Sequence, residues 1–292
     1  MWPVLGNNSG AARWPALAWS VLRIGLASYV GLCLLVFLRQ SRYVYNPAAE
    51  LLLTPASVKL PYEEVALRTG DGETVRAWFV PATPARATLL YCHGNAGNRG
   101  DRVEPMQFFH DLGLNVLMLD YRGYGGSSGR PTETGTYLDA QAAWDFLTAT
   151  RGIPAREIVV FGRSLGGAVA AWLAERHPPG ALILEDTFTS LPDMAAQFYP
   201  YLPVRWLCRF RYNTLARLPH IRCPVLVVHS AADEMIPFDQ GQRLFAAARE
   251  PKRFLQTAGS HNIEVGDLGP AYREGLDRFL KDYAVEAAHA AQ

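Results

Sequence analysis

Cysteine is scarce, with four in 292 residues, far too few for a fold held together by disulfides. No CxxC pair, no metal-ligand spacing and no dinucleotide fingerprint occurs. Neither a metal nor a cofactor is therefore expected, and the chemistry must run on side chains alone. An excess of one charge is missing too. Lys and Arg number 28 against 27 Asp and Glu, a formal net charge of +1, which offers no electrostatic footprint for nucleic acid. Disorder is excluded from the other side, because 49% of the residues are hydrophobic and 11% aromatic. The last absence is local. Residues 1–49 hold four arginines (Arg13, Arg23, Arg39, Arg42) and no acid, so residues 50–292 carry 24 bases against 27 acids. The near-neutral total is a +4 segment added to a −3 remainder.

That basic segment contains a long apolar run. Ala16 to Leu38 is 23 residues with one charge, Arg23, and about 20 apolar residues suffice to cross a bilayer as a helix. Arg23 lies where a long side chain can snorkel to the headgroups. Trp14, Trp19, Tyr43 and Tyr45 lie near the two ends of the run, at positions suited to interfacial belts. A cleaved signal peptide would need small residues just after the run, and LRQSRYVYN offers none. A helix lying in the interface would need a polar face, which Ile24 to Leu38 lacks. A single membrane anchor over residues 16–38 is expected. Arginines stand at both of its ends, so charge favours neither orientation.

Beyond a connector at 39–60 the pattern changes. EEVALRT and VRAWFV alternate like half-exposed strands of an antiparallel pair. ATLLYC, NVLMLD, EIVVF, ALILED and PVLVVHS are continuous apolar runs, as in strands buried on both faces. Helical stretches lie between them, around 103–112, 135–150, 165–176 and 238–249, with a last strand KRFLQTA and a closing helix at 271–283. Strand and helix in turn imply right-handed βαβ units and a mostly parallel sheet covered on both faces, an α/β fold. One domain is expected at 61–285, with tails at 1–15 and 286–292. Residues 187–222 break the rhythm with aromatics, prolines and arginines, and read as an insertion over the sheet edge.

In such sheets the chemistry gathers at the carboxyl ends of the strands. After EIVVF comes Gly162-Arg163-Ser164-Leu165-Gly166, then another glycine and a helical run. This is the pattern of a nucleophile elbow, a sharp strand-to-helix turn that needs small residues two before and two after the serine, here Gly162 and Gly166. A serine nucleophile requires a base, and the base an orienting acid, in the chain order Ser, Asp or Glu, His. Asp233 follows PVLVVHS, and His261 follows KRFLQTA, 28 positions later. Glu234 and Asp186 are the competing acids, and Asp186 reads better as a cap on the turn into Thr187. His229 reads as a structural residue at its strand end. His93-Gly94-Asn95 follows ATLLYC, where a second oxyanion donor belongs, so the backbone N–H groups of Asn95 and Leu165 are the expected pair. DYRGYGGSSGR lacks the spacing and lysine of a phosphate loop and reads as a tight loop behind the site. Cys92 reads as a packing residue.

Together these pieces resemble the α/β-hydrolase superfamily, and within it the membrane-tethered α/β-hydrolase-domain branch. The shared marks are an amino-terminal anchor, HGNAGN, DYRGYG-S-G, GRSLGG and a D-E-x-x-P loop before the final histidine, over residues 43–285. The resemblance implies the α/β-hydrolase fold, with Ser164 as nucleophile, His261 as base, Asp233 as its partner, and Asn95 with Leu165 as oxyanion donors. Two departures stand out: Ser230 where relatives usually have Gly, and Ile263 where an acid often follows His-Asn. Some members of the branch are thioesterases acting on acylated proteins. The expected function is a membrane-anchored serine hydrolase of ester or thioester bonds in acyl or lipid-like substrates. The alternative is a non-catalytic membrane-tethered protein that keeps the fold as an interaction surface. Phe188, Phe198, Tyr199, Tyr201, Trp206, Phe210 and Tyr212 make the insertion either a lid over an acyl pocket or aromatic packing on the sheet.

Overall fold

The computed structural model describes residues 13–263 and 265–285. The expected tail at 286–292, and the tail at 1–15 up to residue 12, lie outside the described residues. Eight strands form one sheet: β1 (Glu63–Arg68), β2 (Thr74–Val80), β3 (Ala87–Cys92), β4 (Leu114–Leu119), β5 (Ile158–Arg163), β6 (Ala181–Glu185), β7 (Val225–Ser230) and β8 (Lys252–Thr257). Their spatial order is β8-β7-β6-β5-β3-β4-β2-β1. β2 pairs antiparallel with β1 and β4, and every other neighbouring pair is parallel.

All residues of β3, β6 and β7 are buried, and their side chains alternate between two cores. Leu90 and Cys92 join one core with α3 (Glu133–Asp145) and α4 (Leu165–Arg176). Leu89 and Tyr91 join the other, with α2 (Val103–Asp111) and α9 (Pro270–Leu280). The continuous apolar runs are therefore explained by helices on both faces, each large buried side chain contributing about 1.5–3 kcal/mol. The strand order reverses at β3, with β4 on one side and β5 on the other. That is the topological switch point, and it opens the crevice beyond the carboxyl ends of β3 and β5.

Some helix limits differ from the sequence reading. α3 begins two residues before Gly135, because Thr132 caps it by accepting from the Gly135 N–H. α8 (Phe238–Ala247) stops short of Arg249 as the chain becomes extended at Ala248. The amino-terminal helix α1 runs from Arg13 to Val44, 32 residues or about 48 Å, and is long and apolar enough to cross a membrane. It continues past Leu38 because its last turns dock on the domain. Gln40 is buried, donating to the Leu207 carbonyl at 2.7 Å and accepting from the Arg209 N–H at 2.7 Å. Tyr45 is also buried, its hydroxyl 2.7 Å from that of Tyr212, so it does not reach an interfacial belt.

The insertion joins β6 to β7 through three short helices, α5 (Leu191–Phe198), α6 (Val204–Leu207) and α7 (Thr214–Arg217). Its aromatics divide. Phe188, Phe210 and Tyr212 are buried, whereas Phe198, Tyr199, Tyr201 and Trp206 are exposed.

Candidate active site

β5 ends in the turn that carries Ser164, which sits at φ 53°, ψ −121°, a region that costs a non-glycine residue about 1–3 kcal/mol. The turn is tight on both sides. A Cβ at Gly162 would strike the Gly166 carbonyl, and one at Gly166 would come within 2.6 Å of the His93 carbonyl oxygen. Only glycine lets β5, α4 and the loop after β3 approach so closely. Thr187 completes the turn by donating its hydroxyl to the Ser164 carbonyl at 2.6 Å.

His261 and Asp233 arrive from the loops after β8 and β7. His261 Nε2 is 3.2 Å from Ser164 Oγ, and His261 Nδ1 is 2.7 Å from Asp233 Oδ2. All three residues are buried. Asp233 Oδ1 accepts from the N–H groups of Met235 and Ile236, both at 2.8 Å. Burial alone would raise the Asp233 carboxyl, but the His261 ring and these backbone donors hold it below the usual carboxylate range.

The loop carrying His261 is gripped at both backbone atoms. Glu234 Oε2 accepts from the His261 N–H at 3.0 Å, and Arg163 donates to the carbonyls of His261 at 2.7 Å and Ile263 at 3.2 Å. Arg163 is itself backed by Glu185, 3.5 Å away, which also accepts from the Tyr272 hydroxyl. Burial pushes the Glu185 carboxyl up to about 7, against the pull of the Arg163 guanidinium. Sequence reasoning placed Arg163 only as the variable residue of the elbow and Glu234 only as a rival acid. Their adjacency to Ser164 and Asp233 was the available signal.

Asp186 does not cap the turn into Thr187. Its Oδ1 accepts from the Ser230 N–H at 2.8 Å, tying the ends of β6 and β7 together. Ser230 reaches further, donating its hydroxyl to the Gly259 carbonyl at 2.6 Å, so this departure from glycine links the Asp233 and His261 loops. His229 Nε2 bonds the Ile236 carbonyl at 2.9 Å, and its other ring nitrogen lies against Gly241. Ligand-type atoms of Asp186, His229 and Asp233 lie within 4.8 Å of one another. These contacts already occupy both Asp233 oxygens, one Asp186 oxygen and one His229 nitrogen, so the cluster serves to hold loops. Cys92 is buried and its thiol is pushed up to about 12 by burial, which leaves it a packing residue.

The loop after β3 faces the elbow. The Tyr121 hydroxyl donates to the His93 carbonyl at 3.1 Å, and Tyr124 donates to the Asn95 carbonyl at 2.7 Å. The DYRGYG loop thus holds the HGN turn from behind. Asp120 of the same loop accepts from the Arg99 N–H at 2.7 Å and from its buried guanidinium. The Asn95 carbonyl also accepts from the Asn46 N–H at 3.0 Å, and its side chain donates to the Val44 carbonyl at 3.1 Å. Among the described residues, no backbone bond uses the Asn95 N–H. Leu165 is the first residue of α4, where a helix leaves the N–H without an internal acceptor. A cleft of about 380 Å³ opens over Ser164 and His261, bordered by Asn95, Asp101, Arg102, Arg163 and Met235.

This architecture is that of an α/β hydrolase, and the chain belongs to that family. The model of the alpha/beta hydrolase fold matches residues 87–218. The chain is 38% identical to the alpha/beta hydrolase domain-containing protein WAV2 of Arabidopsis thaliana, covering 88% of this chain and 92% of that protein. It is 39% identical to protein Rv2307c of Mycobacterium tuberculosis, over 87% of this chain and 92% of the relative. An esterase of Pyrococcus furiosus shares the fold with a TM-score of 0.69 at 20% identity, covering 82% of this chain and 98% of the esterase.

Proposed function

We propose that the protein is a membrane-anchored serine hydrolase cleaving carboxylic ester or thioester bonds of acyl or lipid-like substrates. The observation that carries this reading is the continuous hydrogen-bonded line from Ser164 Oγ through His261 to Asp233, at 3.2 and 2.7 Å. Asp233, held ionised, accepts from His261 Nδ1–H and leaves the Nε2 lone pair facing the serine hydroxyl. As Ser164 Oγ bonds the carbonyl carbon, its proton passes to Nε2. The N–H groups of Asn95 and Leu165 receive the oxyanion, each such donor contributing about 10²–10³ in kcat. The tetrahedral intermediate expels the alcohol or thiol, which takes the proton from His261. Water then attacks the acyl-enzyme with His261 as base, releasing the acid and restoring Ser164. α1 serves as the anchor, its apolar length exceeding the ~30 Å of a bilayer core.

The test is labelling by a fluorophosphonate probe in detergent-solubilised full-length protein. Wild type should label and hydrolyse p-nitrophenyl acetate, and Ser164→Ala should do neither. Wild-type protein that is folded yet silent toward the probe would favour the non-catalytic interaction protein instead.

A further inference from the structure

We infer that a long, unbranched acyl chain of the substrate lies between α1 and the insertion, entering from the bilayer with the anchor helix as one wall of its site. This rests on the serine-hydrolase reading and assigns the half of the substrate that the reading leaves unplaced. A second cavity of about 240 Å³ runs between Val36 and Val44 of α1 and Met194, Ala195 and Phe198 of α5. Asn95 and Met235 line both this groove and the cleft over Ser164, so the two meet where the scissile carbonyl would sit. Their volumes, about 240 and 380 Å³, fall in the range of a small-molecule site when joined.

The two ways out of that junction differ in chemistry. Toward Asp101 and Arg102 the walls are charged, which suits the polar alcohol or thiol half. Toward α1 and α5 the walls are mostly hydrocarbon, with Gln40 and Tyr43 among them, which suits the acyl half, each buried methylene favouring binding by about fourfold. The groove also adjoins lipid. The Tyr29 hydroxyl donates to the Tyr201 carbonyl at 2.9 Å, and Tyr29 lies about 13 Å along the helix before Leu38. The tip of the insertion therefore runs beside the apolar span. There Tyr201 is 89% and Trp206 90% exposed, an arrangement that water disfavours and a bilayer accepts.

A hexadecyl fluorophosphonate with a diazirine at the chain end tests the placement directly in the full-length protein. After reaction at Ser164 and irradiation, cross-links should fall in residues 30–45 and 191–208; cross-links confined to residues 101–105 would overturn the inference. A kinetic arm compares kcat/KM for p-nitrophenyl palmitate and acetate. Filling the groove by Val36→Trp or Ala195→Trp should lower the palmitate-to-acetate ratio at least about tenfold, while Leu26→Trp, elsewhere on the exposed helix, leaves it unchanged. An unchanged ratio in enzyme that still labels at Ser164 refutes the groove alone. Absence of labelling in wild type refutes the hydrolase reading beneath it.

Discussion

Around Ser164 the side chains of Asp233 and His261 and the loop that carries His261 are tied by directional hydrogen bonds, whereas the space between α1 and the insertion is lined mostly by hydrocarbon and bridged by few hydrogen bonds. His261 is held at its ring, its N–H and its carbonyl by four different residues. Among the described residues, the hydrogen bonds from α1 to the insertion are those of Tyr29 and Gln40. On the proposed function the contrast follows from what each wall must do. Proton transfer and oxyanion stabilisation tolerate misplacement of only about an ångström, so that wall is built from directional bonds. An acyl chain has no polar atoms to orient, so its wall needs only shape and dryness. Changes in the first wall should therefore alter the rate on every substrate, and changes in the second should alter which substrate is preferred.

The largest effect that could break this division is at Ser164, the proposed nucleophile. Ser164→Ala should lower kcat by about 10⁶ on acetate and palmitate esters alike, with an unchanged circular dichroism spectrum. Asp233→Asn should cost about 10⁴, again without chain-length preference. The grip on the His261 backbone comes next. Glu234→Ala should reduce kcat by about 10–10² with little change in KM, and Glu234→Gln, which keeps an acceptor oxygen, should recover most of the loss. If Glu234→Ala changed the palmitate-to-acetate ratio instead, the two walls would not be separable.

Glu185 sharpens the comparison through pH. Its folded carboxyl is raised from the ordinary 4.5 to about 7 by burial, so between those values the folded protein binds more protons than the unfolded chain. Stability should fall as pH rises through that window and level off above it. Thermal unfolding of Glu185→Gln should lose this part of the slope. The smallest effect belongs to the periphery: Trp206→Ser should shift unfolding stability by no more than about 0.5 kcal/mol, while reducing partition onto lipid vesicles measured by flotation. A large loss of stability would mean that Trp206 packs the insertion.

Much of the sheet was legible because burial on both faces writes itself as unbroken apolar runs, as in ATLLYC and ALILED. The elbow was legible for a local steric reason, since Gly162 and Gly166 meet neighbouring carbonyls where a Cβ would stand. Asp186 was misread because its partner, the Ser230 N–H, lies 44 positions away and becomes a neighbour only through pairing of β6 and β7. Tyr45 was misread for the same reason: an aromatic near an apolar span has the same composition whether it meets lipid or, as here, Tyr212. The insertion aromatics were ambiguous in sequence because both packing and exposure are present, three buried and four exposed.

The sequence by itself determined what depends on neighbours along the chain: an apolar helix, buried strands, a turn that admits only glycine, and the order of Ser164, Asp233 and His261. The tertiary structure decided what depends on neighbours in space. It assigned Glu234 and Arg163 to the backbone of His261, turned Asp186 toward Ser230, and laid α1 against the insertion. Periodicity and sterics act over a few residues and leave a written pattern. A hydrogen bond across some hundred residues leaves none until the strand order β8-β7-β6-β5-β3-β4-β2-β1 brings its two ends together.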